Sequence, residues 1–118
     1  MDISDPIYQL ALQLEQFAKD RDWQQFHSPK NLASALVVEA SELLEHFQWM
    51  TEQQSRELAP DKRDAVAAEV ADVLLYLIQL SGALGIDLIT SARAKLKLNE
   101  LRYPVERARG NSKKYDEL

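Results

Sequence analysis

Apolar residues recur at helical spacing in four long blocks of this 118-residue sequence, and this feature constrains the fold more than any other. In the first block, Ile7, Leu10, Leu14 and Phe17 form a stripe with the three-to-four-residue period of an α-helix. No stretch of alternating polar and apolar residues is long enough to predict a sheet. The sequence therefore predicts an all-α protein with a four-helix-bundle-like core.

Helix-capping residues and prolines set the limits of the first two predicted helices. The first spans about residues 5–22, and residues 23–28 are predicted to form a loop. Ser28 is a good N-cap, and Pro29 suits the first turn of a helix because its missing N–H needs no partner there. We expect this second helix to reach about Met50.

The last two helices are limited in the same way. Residues 51–60 are polar and are predicted to be a connection. The third helix covers about residues 61–84 and stops at Gly85, a typical C-terminal residue. Asp87 can cap the fourth helix, which ends just before Pro104 because proline cannot extend it. We therefore predict a helical domain over residues 1–104 and a polar, basic tail over residues 105–118.

Composition excludes several classes of function. The sequence has no cysteine, which rules out disulfides, thiolate zinc sites and cysteine nucleophiles. A net charge of −5 argues against nucleic acid or an anionic membrane as a partner, since both select basic surfaces. Residues 65–84 are apolar but include Glu69 and Asp72, which are costly in a membrane, so a core helix is predicted. The N-terminus lacks the pattern of a signal peptide, and we expect a cytoplasmic protein.

Four acidic residues lie where apolar residues are expected. Glu39 falls within the apolar stripe of the second helix, close to Leu36, and Glu42 lies one step round from it. Glu69 shares the apolar face of the third helix, and Asp72 follows three residues later. An isolated buried carboxylate is costly unless it changes its pKa, pairs with a cation or binds a metal. The apolar stripes offer no lysine or arginine as a partner.

Two such pairs on neighbouring helices can converge into one site of four carboxylates. An all-oxygen site of this kind suits a hard ion, Mg²⁺ or Mn²⁺. A single E-x-x-E pair is most often a solvated helix face, but two pairs within apolar stripes make that interpretation the weaker one. A di-iron bundle usually needs Glu-x-x-His, and neither His27 nor His46 has a glutamate three residues before it.

These acids, and the five segments that contain or accompany them, resemble the MazG-like all-alpha nucleoside triphosphate pyrophosphohydrolases, and most closely their dCTP pyrophosphatase branch. Glu39-Ala-Ser-Glu42 and Glu69-Val-Ala-Asp72 match the E-x-x-E…E-x-x-D signature of that family. The matching segments are RDWQQFHSPKNL, EASELLEHFQW, EVADVLLYLIQL, KLKLNELRYP and SKKYDEL. They span nearly the whole chain in the expected order, and the resemblance implies a MazG-type fold.

The resemblance also implies roles for individual residues. Mg²⁺ would be bound by the four acids and would in turn hold the triphosphate; the implied ligands are Glu39, Glu42, Glu69 and Asp72. Trp23, Trp49 and Tyr76 would form the nucleoside pocket, where aromatic faces stack on a base or sugar. His27 is a candidate for a hydrogen bond to a base edge, although a loop histidine is as often incidental. Trp49 and Tyr76 each have an alternative role as a core residue.

Phosphate binding and catalysis involve further residues. Lys95, Asn99 and Arg102 lie on one face of the fourth helix, where a guanidinium and an ammonium suit phosphate oxygens, and they match a family element. Lys114 and Tyr115 of the tail are candidates for closing over the ligand, with a solvated tail as the equal alternative. Glu42 and Glu45 are the candidates for orienting or deprotonating the attacking water, and the sequence does not choose between them.

The activity expected from the resemblance is hydrolysis of dCTP to the monophosphate and pyrophosphate, as part of nucleotide pool sanitation. A helical chain of this size with a large apolar surface is expected to form a homo-oligomer, and the resemblance implies a tetramer built as a dimer of dimers. Two alternatives stay open. One is a house-cleaning enzyme of broad base specificity, and the other is a non-catalytic helical interaction module.

Overall fold

A computed structural model describes residues 2–118 of the chain, and every regular element in this range is helical. There are six α-helices and two short 3-10 turns in these residues. They are α1 (Pro6–Asp20), the turn Gln24–Phe26, α2 (Pro29–Glu45), α3 (Glu52–Arg56), α4 (Pro60–Ala83), α5 (Leu88–Arg102), α6 (Val105–Ala108) and the turn Tyr115–Glu117. The prediction of an all-α fold is confirmed.

The predicted capping residues begin and end the helices as expected. The Ser28 hydroxyl accepts a hydrogen bond from the backbone N–H of Asn31 at 3.1 Å, at the start of α2. The Asp87 carboxylate accepts one from the N–H of Thr90 at 3.1 Å, at the start of α5. Gly85 has a φ of 67°, the left-handed conformation in which glycine ends a helix without steric cost. These bonds satisfy backbone groups that a helix end leaves without partners.

The predicted boundary between the second helix and the following connection was wrong. The helix α2 ends at Glu45, five residues before Met50, and α3 occupies part of the predicted connection. Thr51 and Gln54 form a capping box, in which each side chain accepts a hydrogen bond from the other residue's backbone N–H. A helix that starts at Thr51 requires extended backbone at that residue, so the chain must leave α2 earlier.

The chain divides into two compact units, one ending at Ile86 and the other spanning Asp87–Leu118. In the first unit, α4 packs along α2 and, over a shorter length, along α1. Three apolar side chains from these helices are fully buried: Ala18 of α1, Leu32 of α2 and Ile78 of α4. The proposed division at residue 104 stays a prediction.

The second unit contains α5, α6 and the end of the chain. The rings of Tyr103 and Tyr115 lie edge to face, with centroids 6.3 Å apart and an interplanar angle of 87°. The guanidinium of Arg102 lies 4.6 Å from the centre of the Tyr115 ring. The segment predicted as a polar tail therefore folds back and packs on the C-terminal end of α5.

The helix α4 is long and apolar enough to cross a membrane by length and composition alone, with a mean hydropathy of 1.5 over its most apolar window. A core helix of a soluble protein meets the same criterion. Within this unit α4 remains largely uncovered, because only Ile78 and Ser81 among its side chains are fully buried.

Candidate functional site

A cluster of carboxylates forms where α4 packs against α2. One oxygen from each of Glu39, Glu69 and Asp72 lies within 4.8 Å of the other two. Glu39 and Glu69 are half-buried, whereas Asp72 is exposed. The structure thus brings together acids from two separate E-x-x-[ED] pairs, as their positions on the apolar stripes predict. We call these three residues the carboxylate cluster.

The electrostatics of the cluster favour an added positive charge. The pKa of Glu39 is raised, first because a hydrogen bond with Glu69 favours the protonated form, then through desolvation and repulsion from Glu69 and Asp72. The pKa of Glu42 is also raised, chiefly through its hydrogen bond with Glu39, and the charge of Glu45 adds a smaller repulsion. Glu42 therefore adjoins the cluster, and Glu45 lies further along the exposed end of α2.

One oxygen of the cluster is left without a partner. Glu69 Oε2 is shielded from solvent and has no hydrogen-bond donor within residues 2–118. A buried carboxylate oxygen in this state carries a desolvation cost that a proton or a cation removes. Because every potential metal ligand in the cluster is a carboxylate oxygen, the cluster fits a hard divalent ion such as Mg²⁺ or Mn²⁺.

A cavity of about 410 Å³ adjoins the cluster. We call it the aromatic cavity. Its walls come from α1, the loop after α1 and α4, and its lining residues are Leu10, Gln13, Leu14, Phe17, Trp23, His27, Asp72, Leu75, Tyr76 and Gln79. Three of the predicted nucleoside-site residues, Trp23, His27 and Tyr76, are therefore brought together. Asp72 belongs both to this wall and to the carboxylate cluster, so the cavity and the cluster meet at this residue.

The end of α1 positions Trp23 in this wall. Asp22 has a φ of 55°, a left-handed conformation that aspartate tolerates better than most residues. The N–H of Trp23 donates to the carbonyl of Ala18 at 2.9 Å, and the N–H of Asp22 donates to that of Lys19 at 3.1 Å. This is the Schellman arrangement, which is frequently accompanied by an apolar contact across the helix end. Here that contact is between Trp23 and Phe17, whose ring centroids are 5.7 Å apart.

The remaining predicted site residues lie elsewhere. Trp49 is 88% exposed and does not line the aromatic cavity. Five others belong to the second unit: Lys95, Asn99, Arg102, Lys114 and Tyr115. Asn99 is half-buried, and the other four are exposed. Within that unit, the guanidinium of Arg102 contacts the ring of Tyr115, so two of the predicted site residues lie together.

Sequence reasoning missed several residues of the aromatic cavity. Phe17 was assigned to the core stripe of the first helix, but it is 44% exposed and lines the cavity. Gln79 was not considered, although it follows Asp72 and Tyr76 at helical spacing and lies on the same face of α4. That spacing was the signal available in the sequence.

The chain is similar in sequence to known proteins. The sequence profile of the MazG-like family matches residues 35–118. The chain is 44% identical over 105 residues to human dCTP pyrophosphatase 1 and 42% identical to the bovine protein of that name. These matches cover 87% of this chain but 62% of each relative, so the chain spans less than two thirds of their length.

A solved structure extends the comparison to the fold. A crystal structure of a pyrophosphatase from Archaeoglobus fulgidus superposes with a TM-score of 0.79 at 36% sequence identity. The superposition covers 85% of this chain and 94% of the archaeal one. The family match includes all four acids of the two helix pairs. The chain belongs to the MazG-like family.

Proposed function

We propose that this chain hydrolyses a deoxynucleoside triphosphate, with dCTP as the preferred substrate, to the monophosphate and pyrophosphate. The observation that carries the proposal is the position of Asp72, which belongs to both the carboxylate cluster and the aromatic cavity. A nucleotide needs both parts, since its phosphates need cations and its base needs an apolar, stacking surface. The relatives named dCTP pyrophosphatase 1 support the choice of substrate.

Glu39, Glu69 and Asp72 would hold Mg²⁺, or Mn²⁺, with Glu42 as a fourth ligand beside them. When bound, the ion would supply positive charge that neutralises phosphate oxygens as the bond to the leaving pyrophosphate breaks. The unpartnered Glu69 Oε2 supports this assignment. Without a cation, the same carboxylates repel one another. The pKa of Glu39 is raised first by its hydrogen bond with Glu69, and this repulsion raises it further.

The other residues of the chain would orient the substrate and the water. Trp23 and Tyr76 would stack on the nucleoside, and His27, which is half-buried in the same wall, would donate to or accept from the base. Glu42 and Glu45 are proposed to orient the attacking water and take its proton.

Phosphate oxygens would be bound by cations of the second unit. Lys95, Asn99 and Arg102 share one face of α5, and Lys114 and Tyr115 follow in the tail. Arg102 stacks on Tyr115, which orients a planar guanidinium for bidentate hydrogen bonding to phosphate.

We further propose that the chain functions as a homo-oligomer, a tetramer assembled as a dimer of dimers. Its support is the apolar surface that the chain leaves open: Val37 is 64% exposed, Leu44 is 62% exposed and Val70 is 50% exposed. Isolated exposed apolar residues are ordinary, but a set along two adjacent helices indicates an interface. The charges of Glu69 and Asp72 disfavour a membrane as the partner of α4. A second copy would also bring the exposed Trp49 to a neighbouring nucleoside site.

The experiment that tests the substrate is a panel of triphosphates assayed in Mg²⁺, with chromatography of the products. We expect dCMP and pyrophosphate from dCTP, at a kcat/KM clearly above the values for dUTP, dATP and dGTP. Equal values across the panel would replace the dCTP preference with broad house-cleaning activity. If no triphosphate in the panel yields pyrophosphate, the result would favour the alternative of a non-catalytic helical interaction module. We place the activity in the cytoplasm, in sanitation of the nucleotide pool.

A further inference from the structure

The aromatic cavity has a neighbour, a second cavity of about 320 Å³ between α1, α4 and the loop after α1. Three residues line both cavities and so form the wall between them: Leu14, His27 and Gln79. Leu14 contributes only an apolar surface. Gln79 is half-buried, and its carboxamide makes no hydrogen bond with any other side chain or backbone group in residues 2–118. This carboxamide is open to solvent within the cavities and is therefore available to bind a ligand there.

The position of Gln79 along α4 indicates what that ligand is. Asp72, Tyr76 and Gln79 follow one another at i, i+4 and i+7 and therefore share one helix face. From Asp72 to Gln79 the helix rises about 10 Å. A nucleotide has the same order of groups, with phosphates first, then the sugar, then the edge of the base. With phosphates near Asp72 and the nucleoside against Tyr76, the base edge reaches Gln79.

We propose that Gln79 is a base-binding residue whose carboxamide forms hydrogen bonds with the polar edge of the substrate base. This inference rests on the proposed function and adds a base contact to it. The amide offers an N–H donor and a carbonyl acceptor side by side. Cytosine presents an N4 amino donor where uracil presents an O4 acceptor, so the two bases demand opposite orientations of the amide.

Three substitutions test the assignment through the ratio of kcat/KM for dCTP to that for dUTP. Gln79→Glu leaves only acceptors when ionised, which suit the cytosine amino group and repel uracil O4, so the ratio rises about tenfold. Gln79→Lys leaves only donors, so the ratio falls about tenfold. Gln79→Leu removes both the donor and the acceptor and lowers kcat/KM by about tenfold. Most of this loss appears in KM, because the contact is with the base and not with the reacting phosphorus. Gln53→Leu, an exposed glutamine of α3 that lines neither cavity, is the matched control.

The ratio separates base recognition from a merely structural role. A structural glutamine changes the folded fraction, which lowers activity on both triphosphates equally and leaves the ratio at its wild-type value. Equal ratios in the Glu, Lys and wild-type proteins would overturn the inference while the wild type still hydrolyses dCTP. If the wild type itself releases no pyrophosphate from either triphosphate, the proposed function fails, and the inference that rests on it fails with it. Opposite shifts in the two charged variants, with Gln53→Leu unchanged, establish Gln79 as a base contact.

Discussion

Replacing Glu39 with glutamine gives the most informative single perturbation of the site. The side chain keeps its volume but loses a charge, so the three-carboxylate cluster falls from three negative charges to two. Its oxygens lie within 4.8 Å of one another, and a bound divalent ion would therefore lose one of its three close attractions in the cluster. Removing even an outer-shell partner typically weakens a metal site about 10–100-fold, and a direct ligand should contribute at least as much. We expect kcat/KM in Mg²⁺ to fall at least about a hundredfold.

The stability of the same variant should change in the opposite sense. The pKa of Glu39 is raised in the folded chain, which means that its ionisation at neutral pH opposes folding when no metal is present. Glutamine removes that repulsion. In a chelator, the Glu39→Gln variant should therefore melt at the same temperature as the wild type or higher. A carboxylate that instead serves a structural ion pair predicts a large loss of stability on replacement.

The assay pairs calorimetric melting in chelator with pyrophosphate release in Mg²⁺. Glu57→Gln is the matched control, since Glu57 is an exposed acid after α3 and belongs neither to the cluster nor to the cavities. The control should leave both measurements close to the wild type. A Glu39→Gln protein that melts far below the wild type in chelator yet hydrolyses dCTP at the normal rate would refute the metal site.

Three further predictions follow from the same structure. The pKa values of Glu39 and Glu42 are raised on folding, so their protonated forms stabilise the metal-free fold below the ordinary glutamate pKa of about 4.3, and this contribution is lost as the pH rises through the raised values. Chemical denaturation in chelator should therefore show the free energy of unfolding falling as the pH rises, and Mg²⁺ should reverse that fall. Ser28→Ala removes the cap of α2 and should lower the free energy of unfolding by about 1 kcal/mol in urea titrations, with kcat retained. Asp22→Val places a β-branched residue at a φ of 55°, which should lower the free energy of unfolding by about 1–2 kcal/mol and raise KM by moving Trp23. Asp22→Gly, which tolerates this φ, should keep the wild-type KM.

Local signals in the sequence predicted much of the fold. Caps and breakers act over a few residues, and Ser28, Gly85 and Asp87 mark helix limits as expected. The predicted end of α2 was wrong. The apolar pattern continues to Met50, but the capping box at Thr51 starts a new helix, so α2 ends sooner. The T-x-x-Q signal was present in the sequence, but the polar composition of residues 51–60 was given more weight.

The site was predictable in part for a related reason. Two acids within apolar stripes indicate that the helices bring them together, and the structure places Glu39 beside Glu69 and Asp72. Which side chains of α1 face α4 depends on how the two helices pack, and one helix period does not determine this. Phe17 was therefore missed as a cavity residue, whereas Gln79 was missed although its helical spacing from Asp72 and Tyr76 was present in the sequence.

The central claim is that the carboxylate cluster and the aromatic cavity are one site joined at Asp72. Isothermal titration with a non-hydrolysable dCTP analogue, with and without Mg²⁺, tests it in the wild type and in Asp72→Asn. Chelation of Mg²⁺ by the analogue in solution is the same for both proteins, so the difference between them reports the site. A single site joined at Asp72 predicts that Mg²⁺ tightens binding to the wild type by about tenfold or more and that Asp72→Asn loses most of this coupling. An Asp72→Asn protein that responds to Mg²⁺ as strongly as the wild type would contradict it.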